Sequence, residues 1–182
     1  MAQPVLFLDV DGVLDPFGDP KGPDVGFRDF KSWTFAHPFE SGLGYKLWLS
    51  PEMGKRVGAL DVELRWLTSW REHANRHIGQ RFGWPFIQPP AAKFSMETDE
   101  MKLWNIETFL EEEPDRPFIW VDDDMRFYRP TGWKVDVATW LRETATVPYL
   151  LSEVDGRVGL TPELLDEIET FIASLGVDSG NG

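Results

Sequence analysis

Asp9 and Asp11 stand one residue apart at the end of the apolar run Val5-Leu6-Phe7-Leu8, with Gly12 directly after them. Side chains two apart in a strand point to the same side, so both carboxylates can face one site. A second apolar run, Phe118-Ile119-Trp120-Val121, ends in Asp122-Asp123-Asp124, and a further strand-like stretch, Val62 to Leu67, ends in Thr68 and Ser69. Carboxylates gathered at one place repel unless a cation neutralises them. Oxygen ligands favour Mg²⁺, which keeps waters and accepts a phosphate oxygen. A carboxylate facing such a phosphate can attack phosphorus and form an aspartyl phosphate. A second carboxylate can protonate the leaving oxygen and later activate water.

This chemistry needs the three run ends at one edge of a sheet. Four consecutive apolar residues read as a strand buried on both faces, as in a parallel sheet. Ligands of open α/β sheets bind at the carboxyl ends of such strands. The competing reading is a strand followed by a plain acidic turn. Asp15 to Arg28 is rich in Gly, Pro and Asp and reads as an irregular loop. Phe30 to Phe35 and Tyr45 to Leu49 alternate apolar and polar, with turn residues from Pro38 to Gly44, and read as a β-hairpin. Residues 28–50 thus form a flap over the site or, alternatively, a peripheral hairpin. Ser50-Pro51-Glu52 starts a helix reaching Leu60. Next come a strand over Val62–Ser69, a helix over Trp70–Ile78 and a short strand over Phe82–Ile87. A helix over Glu97–Glu113 buries Met101, Trp104, Ile106, Phe109 and Leu110. Strands over Phe118–Val121 and Val147–Leu151 and a helix over Thr161–Leu175 follow, with 176–182 as a flexible tail. Alternating strands and helices predict one α/β domain over 1–182, a Rossmann-like parallel sheet with helices on both faces.

Asp9-Val10-Asp11-Gly12-Val13 resembles the first motif, DxDG[TV], of the haloacid dehalogenase (HAD) superfamily of phosphotransferases. Leu67-Thr68 resembles the second motif, Lys102 the third and Asp122-Asp123 the fourth. Trp66 to Asn75, Trp120 to Asp124 and Gly159-Leu160-Thr161 are similar to small HAD domains that occur alone or attached to RNA-repair proteins. The resemblance implies Asp9 as nucleophile and Asp11 as general acid/base, the latter also giving Mg²⁺ its main-chain carbonyl. It implies that Thr68, with Ser69 beside it, hydrogen-bonds the phosphoryl group, and that Val10 and Gly12 lend it backbone N–H groups. Lys102 would neutralise the phosphoaspartate, while Asp9, Asp122 and Asp123 would hold Mg²⁺. Lys93 competes with Lys102 but follows Pro89-Pro90 in a loop. About 50 residues separate the first two motifs, too few for a large helical cap, so the hairpin is the expected lid.

The chain of 182 residues carries a net charge of −13, which argues against an extended nucleic-acid-binding surface. Without cysteine there is no disulfide and no thiolate chemistry. No apolar run reaches the ~20 residues of a membrane span, and no basic lead precedes the first one, so the expected location is the cytoplasm without membrane partners. The oligomeric state is not set by these features. His73 and His77, four apart, read as an exposed helix face rather than a metal pair, and Glu111 to Glu113 as a solvated helix end. Trp33, Trp48 and Trp70 read as packing residues before ring-stacking ones. Arg71, Arg76, Arg126 and Arg129 follow the strand ends and form either a local basic rim or pairs with surface acids. The expected function is a Mg²⁺-dependent phosphatase acting on a phosphorylated small molecule, nucleotide or nucleic-acid end. The alternatives are a phosphate-binding or regulatory module without turnover and, more distantly, a dehalogenase, which needs neither Asp11 nor the metal-binding acids.

Overall fold

Val5–Leu8, β1, lies inside a four-stranded sheet because its side chains are apolar on both faces. A computed structural model describes residues 2–22, 25–36, 44–91, 98–128 and 134–177. The other strands are β4 (Glu63–Trp66), β5 (Phe118–Asp122) and β8 (Tyr149–Glu153). The order is β4-β1-β5-β8 and every pairing is parallel. Leu8 is level with Trp66 on one side and Val121 on the other. This register places Asp9, Thr68 and Asp122 just beyond the same edge. The chain is α/β with a HAD-like sheet.

Period-two alternation along β1 divides the core. Leu6 and Leu8 face a cluster containing Met53 and Val57 of α1 (Pro51–Gly58) and Leu165 and Ile168 of α5 (Pro162–Val177). Val5 and Phe7 face a second cluster with Leu103, Ile106 and Phe109 of α3 (Thr98–Glu112) and Val137 and Leu141 of α4 (Val137–Thr144). Helices therefore cover both faces. Ser50 caps α1, accepting the Met53 N–H at 3.0 Å, with Pro51 in the first turn.

β2 (Lys31–Ala36) and β3 (Gly44–Leu49) form the expected antiparallel hairpin, with Trp33 opposite Leu47 and Phe35 opposite Tyr45. Most of its turn, 37–43, lies outside the described residues, as do 178–182 of the tail and Lys93. Leu47 and Leu49 are buried, which seats the hairpin on the first cluster. The loop after Asp15 is ordered against the chain's end: Phe17 N–H donates to Gly156 O at 2.8 Å and Leu160 N–H to Val13 O at 2.9 Å.

Several expectations need correction. Trp70 to Glu72 form turns rather than a helix, with Arg71 at φ 50°, and Asn75–Gly79 follows as a π-helical turn leading into α2 (Gln80–Phe82). The strand expected over Phe82–Ile87 does not form. Pro85 and Pro89 restrict laddering, and Asn75 instead clamps Ile87, donating to its carbonyl at 2.7 Å and accepting its N–H at 2.8 Å. Gln88 makes one isolated bridge to Arg65. The sequence reading also lacked the hairpin β6 (Arg126–Tyr128) and β7 (Lys134–Asp136) and helix α4, whose N-cap Asp136 accepts Thr139 N–H at 3.1 Å. Glu113 is no solvated end: it pairs with Arg65 and Arg116, each at 2.7 Å. His73 and His77 are half-buried, and His77 stacks on Phe35 at 4.0 Å. Among the described residues no helix is long and apolar enough to cross a membrane.

Candidate active site

Asp9 leaves β1 with its side chain 8% exposed. Such a group needs a partner, since burying a lone charge is costly. Lys102, on the buried side of α3, supplies it: Nζ lies 2.6 Å from Asp9 Oδ2 and 2.7 and 2.9 Å from the two Asp122 oxygens. Burial opposes the ammonium, but Asp9 and Asp122 outweigh it and hold the Lys102 pKa above the usual lysine range. Burial, then the Asp9 charge, pushes Asp122 upward, while Lys102 opposes the rise. Asp122 also accepts Trp120 Nε1–H at 3.3 Å and Asp124 N–H at 3.2 Å.

Asp123 completes the acidic group. One carboxylate oxygen from each of Asp9, Asp122 and Asp123 lies within 4.8 Å of the others. Three carboxylates against one ammonium leave about two negative charges, and this excess with all-oxygen donors suits a hard divalent cation. Burial and then Asp9 push Asp123 up to about 6, so near neutral pH it is largely ionised and below about pH 6 a proton competes for its oxygens. Its place depends on two glycines. A Cβ on Gly12 would lie 2.3 Å from Asp123 Oδ2, and one on Gly156 2.5 Å from the same atom. Gly12 also has φ +71°, where side chains are strained.

Gly12 N–H donates to Asp15 O at 2.9 Å and closes the turn. Val10 N–H donates to Asp9 Oδ1 at 2.6 Å. Thr68 is fully buried, its hydroxyl oxygen 3.4 Å from Trp70 N, and Ser69 is half-buried beside it.

Asp11, half-buried, is absent from the candidate metal group and finds its own donors. Trp70 Nε1–H donates to its Oδ2 at 2.9 Å, and the Tyr45 hydroxyl donates to Oδ1 at 3.3 Å. Burial raises the Asp11 pKa; the Trp70 hydrogen bond pulls it down and the Asp9 charge adds to the rise. A carboxyl shifted this way keeps a proton to higher pH, as a general acid requires. Asp15 lies beneath the hairpin, accepts Trp48 N–H at 2.7 Å and is pushed up to about 7, mainly by burial.

The family model for the HAD domain in Swiss Army Knife RNA repair proteins matches residues 5–164. The chain belongs to this family. No curated protein and no solved structure matches it. Membership of the HAD superfamily, whose members are generally hydrolases, accounts for the acidic carboxyl edge of the sheet.

Two features of the HAD site went unread in the sequence. Asp15 signalled nothing beyond an acid four residues after Asp11, and Tyr45 was one of several aromatics in a hairpin. Trp70 is buried, as a packing residue would be, yet its indole N–H serves Asp11. Of the arginines proposed as a rim, Arg126 pairs with Asp124 through Nε and Nη2, both at 2.9 Å, and Arg129 lies outside the described residues.

Proposed function

We propose that this HAD domain is a phosphate monoester hydrolase that works through an aspartyl phosphate on Asp9. The observation that carries the reading is the shared ammonium of Lys102 between Asp9 and Asp122, with Asp123 within metal-binding reach and Asp11 held apart by its own donors. One carboxylate is thus poised as nucleophile and another as acid, in separate environments, as paired acid and base roles require. Asp9, Asp122, Asp123 and the main-chain carbonyl of Asp11 would hold Mg²⁺, which when bound would offset charge on the phosphoryl oxygens.

In the first step an Asp9 oxygen forms a bond to phosphorus as the ester P–O bond breaks, and Asp11 gives its proton to the leaving oxygen. Lys102 then balances charge on the phosphoaspartate. In the second step water bonds to phosphorus and gives a proton to Asp11, and the Asp9 carboxylate is released. Thr68, Ser69 and the Val10 N–H border the phosphoryl group.

The leading substrate is a phosphorylated RNA end or nucleotide. The family's description supports this, since it places such domains in RNA repair proteins. The connection between β1 and β4 also supports it, since its hairpin is smaller than a cap domain and leaves room for a bulky ester. A panel of 3′- and 5′-phosphorylated oligoribonucleotides, mononucleotides, sugar phosphates and phosphopeptides, each with Mg²⁺ and with chelator, tests it. Mg²⁺-dependent phosphate release from RNA ends or nucleotides is expected. Release from sugar phosphates with every nucleotide ignored would remove the substrate assignment, and no release at all would point to a phosphate-binding module.

A further inference from the structure

Asp11 receives its two donors from distant parts of the chain. Trp70 is 59 residues away and Tyr45 is 34 away. Trp70 is fixed: it is 3% exposed and its ring meets Phe35 at 6.0 Å and Tyr45 at 5.1 Å, edge-on at 81°. Tyr45 belongs to the hairpin. The hairpin is attached to the acidic turn twice, through Tyr45 to Asp11 and through the Trp48 N–H to Asp15. It is attached to the following segment by the Phe35 ring on His77.

A carboxylate held by one donor still turns about its broad terminal torsion. Donors on both oxygens fix its plane. Of the two, the Tyr45 bond at 3.3 Å is the longer, and it comes from the hairpin.

We propose that Tyr45 is a positioning residue: its hydroxyl sets the Asp11 carboxyl plane, so proton delivery to the leaving oxygen depends on this hydrogen bond from the hairpin. The proposal rests on the phosphatase reading above. Its consequence is selective. A nitrophenolate departs without a proton, whereas a ribose oxygen leaves only as it receives one from Asp11. Loss of Tyr45's hydroxyl therefore slows phosphoenzyme formation from a ribose ester and spares that from an activated aryl ester. Loss of packing would slow both.

The test is rapid-quench measurement of phosphoenzyme formation in wild type and Tyr45→Phe, which keeps the ring. The substrates are p-nitrophenyl phosphate and the fastest ribose phosphate ester of the panel. The expected loss is about tenfold for the ribose ester and less than about twofold for the aryl ester, with KM little changed. Asp11→Asn should show the same selectivity in stronger form. A second readout needs no turnover: the Trp70 indole N–H resonance in ¹⁵N-labelled protein, assigned with Trp70→Phe, should move in Tyr45→Phe. Equal losses on both esters, no loss on either, or an unmoved resonance would overturn the role of Tyr45. A wild-type protein inert on every ester would remove the phosphatase reading and this proposal with it, whereas an active wild type with equal losses removes the Tyr45 role alone.

Discussion

Lys102 Nζ lies 2.6 Å from Asp9 and 2.7 Å from Asp122, so one buried ammonium joins the ends of two adjacent strands. Removing one member of a buried ion group leaves the others uncompensated, which costs about 3–5 kcal/mol. Lys102→Met should therefore lower metal-free stability by about that amount at pH 7, measured by urea denaturation. The loss should shrink at lower pH, where Asp122, pushed upward by burial and the Asp9 charge, takes up a proton. A variant as stable as wild type at pH 7 would contradict the shared-ammonium account.

Asp9→Asn should abolish turnover and Asp11→Asn should slow it, by different routes. The first removes the atom that bonds to phosphorus, and beryllium fluoride should no longer form its adduct there. The second removes a proton donor and should slow turnover about 10²–10⁴-fold, leaving adduct formation on Asp9 intact. Near-normal activity in Asp9→Asn would end the covalent mechanism.

Metal binding should be pH-dependent in a defined direction. Asp123 is pushed up to about 6, so below that pH a cation competes with a proton. Mg²⁺ should raise the melting temperature at pH 7.5, by less at pH 5.5, and not at all in Asp123→Asn. A Mg²⁺ shift that is independent of pH would separate Asp123 from the metal.

Gly156→Ala tests the glycine pair around Asp123. The new Cβ would meet Asp123 Oδ2 at 2.5 Å and the Phe17 ring at 3.1 Å, so the carboxylate must move. Mg²⁺ affinity, read by calorimetry, should fall about 10–100-fold, the range seen when groups that orient a metal ligand are altered. Unchanged affinity would place the metal away from Asp123.

Asp15 makes a stability prediction. Its carboxyl, pushed up to about 7 mainly by burial, lies above the usual aspartate value of 3.8. Between those pH values the folded state holds a proton that the unfolded state has lost, so stability falls as pH rises through this window and levels off above pH 7. The difference between the two values corresponds to at most about 4 kcal/mol. Asp15→Asn keeps an acceptor for the Trp48 N–H and removes the charge. The variant should match wild type near pH 4 and exceed it at pH 8 by denaturant titration; the reverse order would refute the assignment.

Residue order alone was enough to place carboxylates after two apolar runs, hydroxyls after an alternating strand, the Ser50 cap, the hairpin and the alternation of strand with helix. All of these are local patterns of period, cap and turn. Tertiary packing decided which groups meet. Trp70 and Tyr45 reach Asp11 across 59 and 34 residues, and Lys102 reaches Asp9 across 93. The same applies where local patterns misled: Phe82–Ile87 alternates like a strand, but Asn75 takes its backbone groups and the prolines bar a ladder. Arg126 follows a strand end, as a rim residue would, but its guanidinium lies against Asp124. Periodicity records which face of an element is buried. Which side chains a carboxylate finds there depends on how distant elements dock, and that is set by the packing of both faces of the sheet.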